Sequence, residues 1–170
     1  MTTEEFNDGY SKMTKPTSLS LIHLNIRSLN ANHSKLLQLI ETLNNPFDVI
    51  LLSEIWIFNI NNYAIFFPNF TFYYSPPIDS NVGGVGAYIH KSFTVNVHDY
   101  KKPVDHNKIY ESILLEITKN NETYIIGGFY RHPSPPLKIF TAILEKFLVD
   151  FSINLIGTIA FWREISTRTY

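Results

Sequence analysis

Two polar residues, Asn25 and Glu54, stand where apolar, strand-like runs give way to polar sequence. Asn25 follows the run at residues 19–24, and Glu54 follows the run at residues 49–53. An amide and a carboxylate together can hold a hard cation such as Mg²⁺ and orient a phosphate beside it, because oxygen ligands suit that ion. The pair predicts a metal and phosphate site if the fold brings the side chains together. Taken alone, Glu54 could equally be a solvated carboxylate, and Asn25 a turn residue.

The sequence between the two residues indicates how they meet. Residues 33–43 have the periodicity of an amphipathic helix, so the order of elements is strand, helix, strand. A right-handed crossover of this kind makes the two strands parallel and places them close together in one sheet. Their carboxyl ends then lie at the edge where open α/β sheets bind ligands. We therefore expect Asn25 and Glu54 to lie within hydrogen-bond reach of each other, or one water apart.

Tyr130 ends another strand-like run and is followed by Arg131. A phenol there can donate to a non-bridging phosphate oxygen, and a guanidinium adds a cationic fork that suits phosphate. We expect Tyr130 at the same sheet edge as Asn25. The alternative is a buried tyrosine whose hydroxyl is satisfied within the core.

Glycines and histidines carry less information. The segment Gly83-Gly84-Val85-Gly86 lacks the Lys-Ser/Thr ending and the following helix of a phosphate-binding loop, so it predicts a tight turn into a strand. His23, His90 and His132 lie at strand-like edges. Because no histidine pair has the helical spacing of a metal site, none of them is predicted to do chemistry.

Apolar runs separated by breakers predict six strands and two helices. Residues 109–117 and 123–130 flank the two-residue turn Asn120-Asn121 and predict a hairpin. The second helix is predicted from residue 136 to residue 149, after a proline-rich segment. The predicted strands are 19–26, 49–53, 70–75, 85–90, 109–117 and 123–130, and residues 154–156 are expected to begin another.

Composition limits the possible chemistry. The chain has 170 residues, 45% of them hydrophobic, so it can bury a sizeable core. It has no cysteine, which excludes disulfide scaffolds and thiolate metal sites. A net charge of -1 argues mildly against strong nonspecific nucleic-acid binding. Residues 1–17 contain no secretory signal, and no run reaches the length of a membrane helix, so we expect a nuclear or cytoplasmic protein without membrane contact.

Four short motifs carry a family resemblance. They are Leu24-Asn25-Ile26-Arg27-Ser28-Leu29, Asp48-Val-Ile-Leu-Leu-Ser-Glu54-Ile-Trp56, Gly83-Gly84-Val85-Gly86-Ala87-Tyr88-Ile89 and Tyr130-Arg131-His132-Pro133. In this order and spacing, over residues 18–157, they resemble the endonuclease/exonuclease/phosphatase superfamily, whose fold is that of deoxyribonuclease I. The amino-acid sequences of these motifs are most similar to those of the endonuclease domain of non-LTR retrotransposon proteins.

The resemblance implies an α/β (α+β) fold in which a two-sheet β-sandwich is flanked by helices. It implies Mg²⁺-dependent hydrolysis of a phosphodiester, and DNA as the partner that is nicked to prime reverse transcription. In such a site Glu54 holds the Mg²⁺ and Asn25 orients the carboxylate and the phosphate. Tyr130 and Arg131 contact the phosphate.

The resemblance stops at Gly157. Where the family continues into Gly-Asp-Phe-Asn, this chain has Gly157-Thr-Ile-Ala-Phe-Trp162, and the Asp-His pair found near the end of the family domain is also missing. We therefore expect residues 1–17 to be a flexible lead-in, residues 18–157 to be the N-terminal portion of the domain, and residues 158–170 to be a divergent tail outside the resemblance.

Without the missing motifs we expect hydrolysis at or near background, because general acid and base groups each contribute roughly 10² to 10⁴ in rate. Two other functions stay open. The chain could be a non-catalytic remnant or interaction module. It could also be a phosphatase or inositol-phosphate member of the same superfamily.

Overall fold

Two four-stranded sheets and three helices make up the part of the chain that the structure describes. The computed structural model describes residues 3–11, 19–43, 47–57, 66–77, 82–98, 109–152 and 158–164. In chain order the elements are α1 (Thr3–Ser11), β1 (Leu21–Asn25), α2 (Leu29–Thr42), β2 (Val49–Ser53), β3 (Phe70–Ser75), β4 (Val85–His90), β5 (Thr94–Val97), β6 (Tyr110–Lys119), β7 (Glu122–Arg131), α3 (Leu137–Ser152) and β8 (Thr158–Glu164).

The first sheet has the strand order β1-β2-β4-β3. As predicted, β1 and β2 are parallel, and they are direct neighbours, with Asn25 opposite Ser53. The crossover between them is α2, and β4 runs antiparallel to both β2 and β3. Every residue of β2 is buried, which fits an uninterrupted apolar strand that is covered on both faces.

The second sheet has the strand order β5-β6-β7-β8. β6 and β7 form the predicted hairpin, and φ is 51° at Asn120 and 64° at Asn121. Positive φ at both central residues is what a type I′ turn requires, and asparagine tolerates it better than most residues. β8 pairs with β7 in parallel, so β7 is a central strand.

Helices α2 and α3 cover the two outer faces of the sandwich. α2 begins at Leu29, four residues before the predicted start, because Ser28 Oγ accepts the Ala31 N–H at 3.3 Å and caps the helix. α3 lies close to its predicted bounds, with Phe140 and Phe147 buried against the second sheet. No helix in the described part of the chain is both long enough and apolar enough to cross a membrane.

Three apolar layers hold these elements together. One lies between α2 and the first sheet, one between the two sheets, and one between the second sheet and α3. Successive strand residues point to opposite faces, so a single strand such as β6 can serve both the middle and the outer layer. Buried members of the three layers, in that order, are Leu36 and Leu52, then Leu51, Leu115 and Ile126, then Leu114, Ile125 and Phe140.

Part of the segment predicted to be a flexible lead-in, residues 1–17, has regular secondary structure. Its described part, Thr3–Ser11, is the helix α1. Glu4 and Glu5 lie in the first turn, where negative charge interacts favourably with the helix dipole. Asn7 Nδ2 donates to Thr42 O at 3.1 Å, which attaches α1 to the end of α2.

Two strands were not among the six predicted. β5 is only four residues long and largely exposed. Its sequence Thr-Val-Asn-Val alternates polar and apolar residues as a half-buried strand does, but the run is at the lower limit of length for such a signal. β8 lies in the segment left outside the family resemblance, yet its β-branched and aromatic residues favour a strand, and it extends the second sheet beyond β7. Residues 154–156, predicted to begin a strand, lie outside the described residues.

Candidate functional site

Loops from both sheets meet at one end of the sandwich, which we call the site end. The carboxyl ends of β1 and β2 lie there, beside the start of β4, because Ser53 pairs with both Asn25 and Val85. The second sheet contributes the start of β6 and the end of β7, where Glu111 pairs with Tyr130. A hydrogen bond from the Gly84 N–H to the Glu111 carboxylate joins the two sheets at this end.

Asn25 and Glu54 meet as the strand order predicts. Asn25 Nδ2 donates to Glu54 Oε1 at 3.1 Å. The carbonyl oxygen of the same side-chain amide also accepts a hydrogen bond, since the Arg27 backbone N–H donates to Asn25 Oδ1 at 3.2 Å. Glu54 is only 1% exposed, so its carboxylate is held in a nearly dry position with a defined orientation.

The backbone around this pair is strained. Apart from the hairpin turn, all positive φ angles in the described residues fall in the three loops of the first sheet at the site end. Glu54 itself has φ of 55°, a conformation that costs a non-glycine residue about 1–3 kcal/mol and that clusters at functional sites. The residues concerned are Arg27, Ser28, Glu54, Trp56, Gly83 and Gly84.

Backbone hydrogen bonds between the loops support this strained geometry. The Ser28 N–H donates to Glu54 O at 2.8 Å, and the Trp56 N–H donates to Gly83 O at 3.0 Å. The indole Nε1 of Trp56 is buried without a hydrogen-bond partner among the described residues, which adds a further cost to the loop. Such costs persist only where the surrounding structure fixes the conformation.

Tyr130 does not share a sheet edge with Asn25, contrary to the prediction. It lies in β7 of the second sheet and is 3% exposed within the layer between the sheets. The prediction treated all strand ends as belonging to one sheet, because strand patterns alone do not assign strands to sheets. Tyr130 nevertheless reaches the site end, since it pairs with Glu111.

Arg131, predicted to bind a phosphate, makes its described hydrogen bonds within its own turn. Its side chain is 7% exposed, and Nη1 donates to three backbone carbonyls of the following turn, at 2.8 Å for His132, 3.4 Å for Pro133 and 3.0 Å for Pro135. A guanidinium can satisfy carbonyls as well as phosphate oxygens, so sequence could not separate the two uses. In the structure it holds the turn that leads into α3.

Glu111 and His132 form a contact that sequence reasoning missed. Glu111 is fully buried, and its Oε1 lies 3.2 Å from His132 Nε2. Its Oε2 accepts the Gly84 N–H. The signal was present in the sequence: Glu111 has the same parity as Ile113, a core position of β6, so a carboxylate stands among core-facing residues.

The glycine turn before β4 is confirmed, and it is shaped by this carboxylate. Gly83 and Gly84 have φ of 105° and 81°, which favours glycine at both positions. A Cβ on Gly83 would lie 2.6 Å from Glu111 Oε2, and one on Gly84 would lie 2.7 Å from Ile55 Cγ1. The turn can approach Glu111 and the end of β2 only because neither Gly83 nor Gly84 has a side chain.

The donor set at Glu54 fits one kind of metal site. The described residues contain no group of three His, Cys, Asp or Glu side chains that could enclose an ion. One carboxylate with an adjacent amide suits Mg²⁺, which commonly takes one or two carboxylates and completes its octahedron with water and phosphate oxygens. Glu54 is the residue that would hold such an ion, with Asn25 fixing its orientation.

A groove of about 320 Å³ borders Asn25 between β1 and α2. Its floor is apolar, and Arg27 and Lys35 stand exposed at its rim. Neither cation has an ion-pair partner within the described ranges. The apolar floor consists of Leu24, Ile26, Leu36 and Leu39.

Solved structures of one superfamily share this architecture. The endonuclease domain of TRAS1, a telomere-specific non-LTR retrotransposon, superposes with a TM-score of 0.59 at 12% identity, covering 84% of this chain and 58% of that one. TDP2 from D. rerio, complexed with a single-strand DNA product, gives a TM-score of 0.57 at 16% identity, covering 84% and 58%. The chain has a deoxyribonuclease I-like fold.

The deoxyribonuclease I-like fold is shared with a phosphatase as well. The mannosyl-6-phosphatase Bt3783 of Bacteroides thetaiotaomicron has a TM-score of 0.59 at 10% identity, covering 85% of this chain and 64% of that one. All three proteins belong to the endonuclease/exonuclease/phosphatase superfamily, so the fold expected from the motifs is confirmed. The chain spans 58–64% of the length of these structures. No protein-family model and no curated protein matches the sequence.

Proposed function

We propose that this chain forms the metal-anchoring half of a Mg²⁺-dependent phosphodiesterase site that acts on DNA. The observation that carries the proposal is the hydrogen bond between Asn25 and Glu54 at adjacent parallel strand ends of a deoxyribonuclease I-like fold. Glu54 is the proposed Mg²⁺ ligand. A metal bound there would offset the negative charge that develops on the phosphoryl oxygens.

The residues around Glu54 hold its carboxylate in a fixed orientation in the absence of a ligand. Asn25 Nδ2 engages one carboxylate oxygen, and Asn25 is itself fixed by the Arg27 N–H. Loss of a partner that orients a ligand in this way typically lowers metal affinity by about 10- to 100-fold. From the second sheet, Tyr130 is the proposed hydrogen-bond donor to a non-bridging phosphate oxygen. Arg131 Nη1 shapes the turn after β7, and the guanidinium is the proposed cationic contact to the phosphate.

DNA is the proposed partner, in keeping with two of the superposed structures. One is a retrotransposon endonuclease, and another is complexed with a single-strand DNA product. The groove beside Asn25 adds support from this chain, because Arg27 and Lys35 offer cations to a phosphate backbone while the apolar floor can receive bases. With a net charge of -1 the binding should be weak and sensitive to salt.

We further propose that these 170 residues do not turn over substrate by themselves and derive from a retrotransposon endonuclease that nicks target DNA. The family carries an Asp-x-Asn motif directly after the position of Gly157 and an Asp-His pair later, whereas residues 158–170 contain no Asp, Asn or His. Loss of two acid-base groups, each contributing roughly 10² to 10⁴, lowers the rate to near background. The chain would then act as an interaction module that binds metal and DNA without hydrolysing the DNA.

A phosphatase is the second candidate function. It is favoured by the superposition on the mannosyl-6-phosphatase, whose TM-score of 0.59 equals that of the TRAS1 endonuclease. Hydrolysis of a small sugar phosphate, with no effect of added oligonucleotide, would select this function over the first.

The test combines Mn²⁺ binding with a nicking assay. Mn²⁺, a paramagnetic stand-in for Mg²⁺, should bind the purified chain at one site, and Glu54→Gln should remove that binding. Glu41→Gln, an exposed glutamate of α2, is the matched control and should leave it intact. Supercoiled plasmid should stay intact in Mg²⁺. Absence of Mn²⁺ binding would contradict the metal site, and nicking that Glu54→Gln abolishes would contradict the proposed loss of activity.

A further inference from the structure

We propose that Glu111 and His132 are positioning residues that couple the two halves of the site across the sandwich. The inference rests on the proposed function, since it assigns to this pair the task of holding Glu54 on the first sheet and Tyr130 on the second in a fixed relation. Neither residue is proposed to bind the metal or the phosphate, and neither is proposed to take part in the chemistry.

The first observation is the burial of Glu111. A carboxylate that is fully buried has lost its hydration and persists only where charge and hydrogen bonds compensate it. Glu111 receives such compensation from two directions, with the His132 imidazole at 3.2 Å on one oxygen and the Gly84 N–H on the other. The side chain therefore connects β6 of the second sheet to the turn before β4 of the first.

The connection to the first sheet runs through that turn. The Trp56 N–H donates to Gly83 O at 3.0 Å, and the Ile55 N–H donates to Gly84 O at 3.4 Å. Ile55 and Trp56 directly follow Glu54, whose φ of 55° is held only by its surroundings. A turn that loses its bond to Glu111 is free to shift, and the backbone of Glu54 shifts with it.

The connection to Tyr130 runs through His132. The imidazole lies edge-on to the Tyr130 ring, with the centroids 5.4 Å apart and the planes at 82°. The His132 N–H donates to Ile109 O at 3.0 Å, which fixes the backbone just after β7. Because Glu111 holds the imidazole at its other side, the orientation of the Tyr130 ring depends on the same carboxylate.

The chain offers a matched control on the same strand. Glu116 also lies in β6 and also meets a histidine, with Oε2 at 3.3 Å from His98 Nε2. This pair is half-buried and is not part of the site end. Glu116→Ala removes the same side-chain atoms and the same formal charge from β6 as Glu111→Ala does. It leaves the turn before β4 untouched.

Two measurements on the full chain test the inference. In Glu111→Ala the Mn²⁺ dissociation constant should rise by about 10- to 100-fold, as for other residues that orient a ligand. Amide hydrogen exchange at Gly84, Trp56 and His132 should accelerate in the same variant. Glu116→Ala should change neither. Glu111→Gln should restore both towards wild type, because its amide oxygen can still accept the Gly84 N–H.

A purely structural role for Glu111 predicts a different result. The folded Glu111→Ala chain would then melt earlier but bind Mn²⁺ as tightly as wild type, with unchanged exchange at Trp56, and that result would overturn the inference. If Glu111→Ala does not fold, the same two measurements are made on His132→Ala. That variant breaks the contact between Glu111 and His132 and keeps the carboxylate. Failure of wild type to bind Mn²⁺ would refute the proposed function alone, and the exchange data would still decide the coupling.

Discussion

At the scale of single residues, Glu54 combines two unfavourable features. Its backbone is left-handed, and its carboxylate is almost completely buried. The Ser28 N–H and the Asn25 side chain compensate part of the cost, at 2.8 Å and 3.1 Å respectively. A solvated glutamate at a strand end would need neither contact. At 1% exposure Glu54 is not the solvated carboxylate of the alternative interpretation, and its binding role stays a prediction.

Asn25→Ala tests this interpretation at the residue scale. Removing a donor from a buried carboxylate should lower the free energy of unfolding by about 1.5–3 kcal/mol. Mn²⁺ affinity should fall by about 10- to 100-fold, because Glu54 loses the group that orients it. Asn30→Ala, an exposed residue in the first turn of α2, is the control and should change neither quantity. Unchanged Mn²⁺ affinity in folded Asn25→Ala would show that Asn25 is only a turn residue.

At the scale of elements, the site depends on a turn of the first sheet that also contacts the second sheet. The glycine turn before β4 has positive φ at both residues and accepts two hydrogen bonds from the segment after β2. It also donates one bond to β6 of the other sheet. One turn thus fixes the relative position of three strand ends.

Gly83→Ala should weaken this turn specifically. The new Cβ would lie 2.6 Å from Glu111 Oε2 on a backbone with φ of 105°, so we expect a loss of about 1–3 kcal/mol in stability. Gly9→Ala is the control, because no atom lies within 4 Å of its added Cβ and alanine favours a helix. Chemical denaturation of the two variants gives the comparison. Equal stability of Gly83→Ala and wild type would contradict the described turn.

Local patterns predicted most elements, and long-range contacts explain the misses. The parallel pair β1 and β2 and the Asn-Asn hairpin follow from periodicity and turn chemistry, which act between near neighbours in sequence. The meeting of Asn25 with Glu54 followed from the same logic. The Glu111–His132 contact did not, because it depends on which face of β6 meets the end of β7. Tyr130 was assigned to the wrong sheet for a similar reason.

At the scale of the whole molecule, the edges of the sheets determine solution behaviour. Within the described residues β1 is an edge strand of the first sheet, and it is half-buried along its length. Its sequence Leu-Ile-His-Leu-Asn contains neither the lysine nor the proline that often protects an edge. An apolar edge strand of this kind favours pairing with a further strand.

We therefore expect the isolated chain to be marginally stable and prone to self-association, unless a partner chain pairs with this edge. Exposed apolar surface costs about 25 cal/mol per Å² and favours such pairing. Thermal unfolding of the dilute protein, followed with a dye that binds apolar surface, should show dye binding before the transition. A sharp monomeric transition with no earlier dye signal would contradict this expectation.

The most direct test of the metal-anchoring site is paramagnetic broadening of NMR signals by substoichiometric Mn²⁺. If Glu54 anchors the ion, the Asn25 side-chain amide and the backbone amides of Ser28 and Ile55 should broaden first, since all three lie next to Glu54. The same titration of Glu54→Gln should leave these signals sharp. Broadening centred on another carboxylate, or an equal response in Glu54→Gln, would show that Glu54 does not anchor the ion.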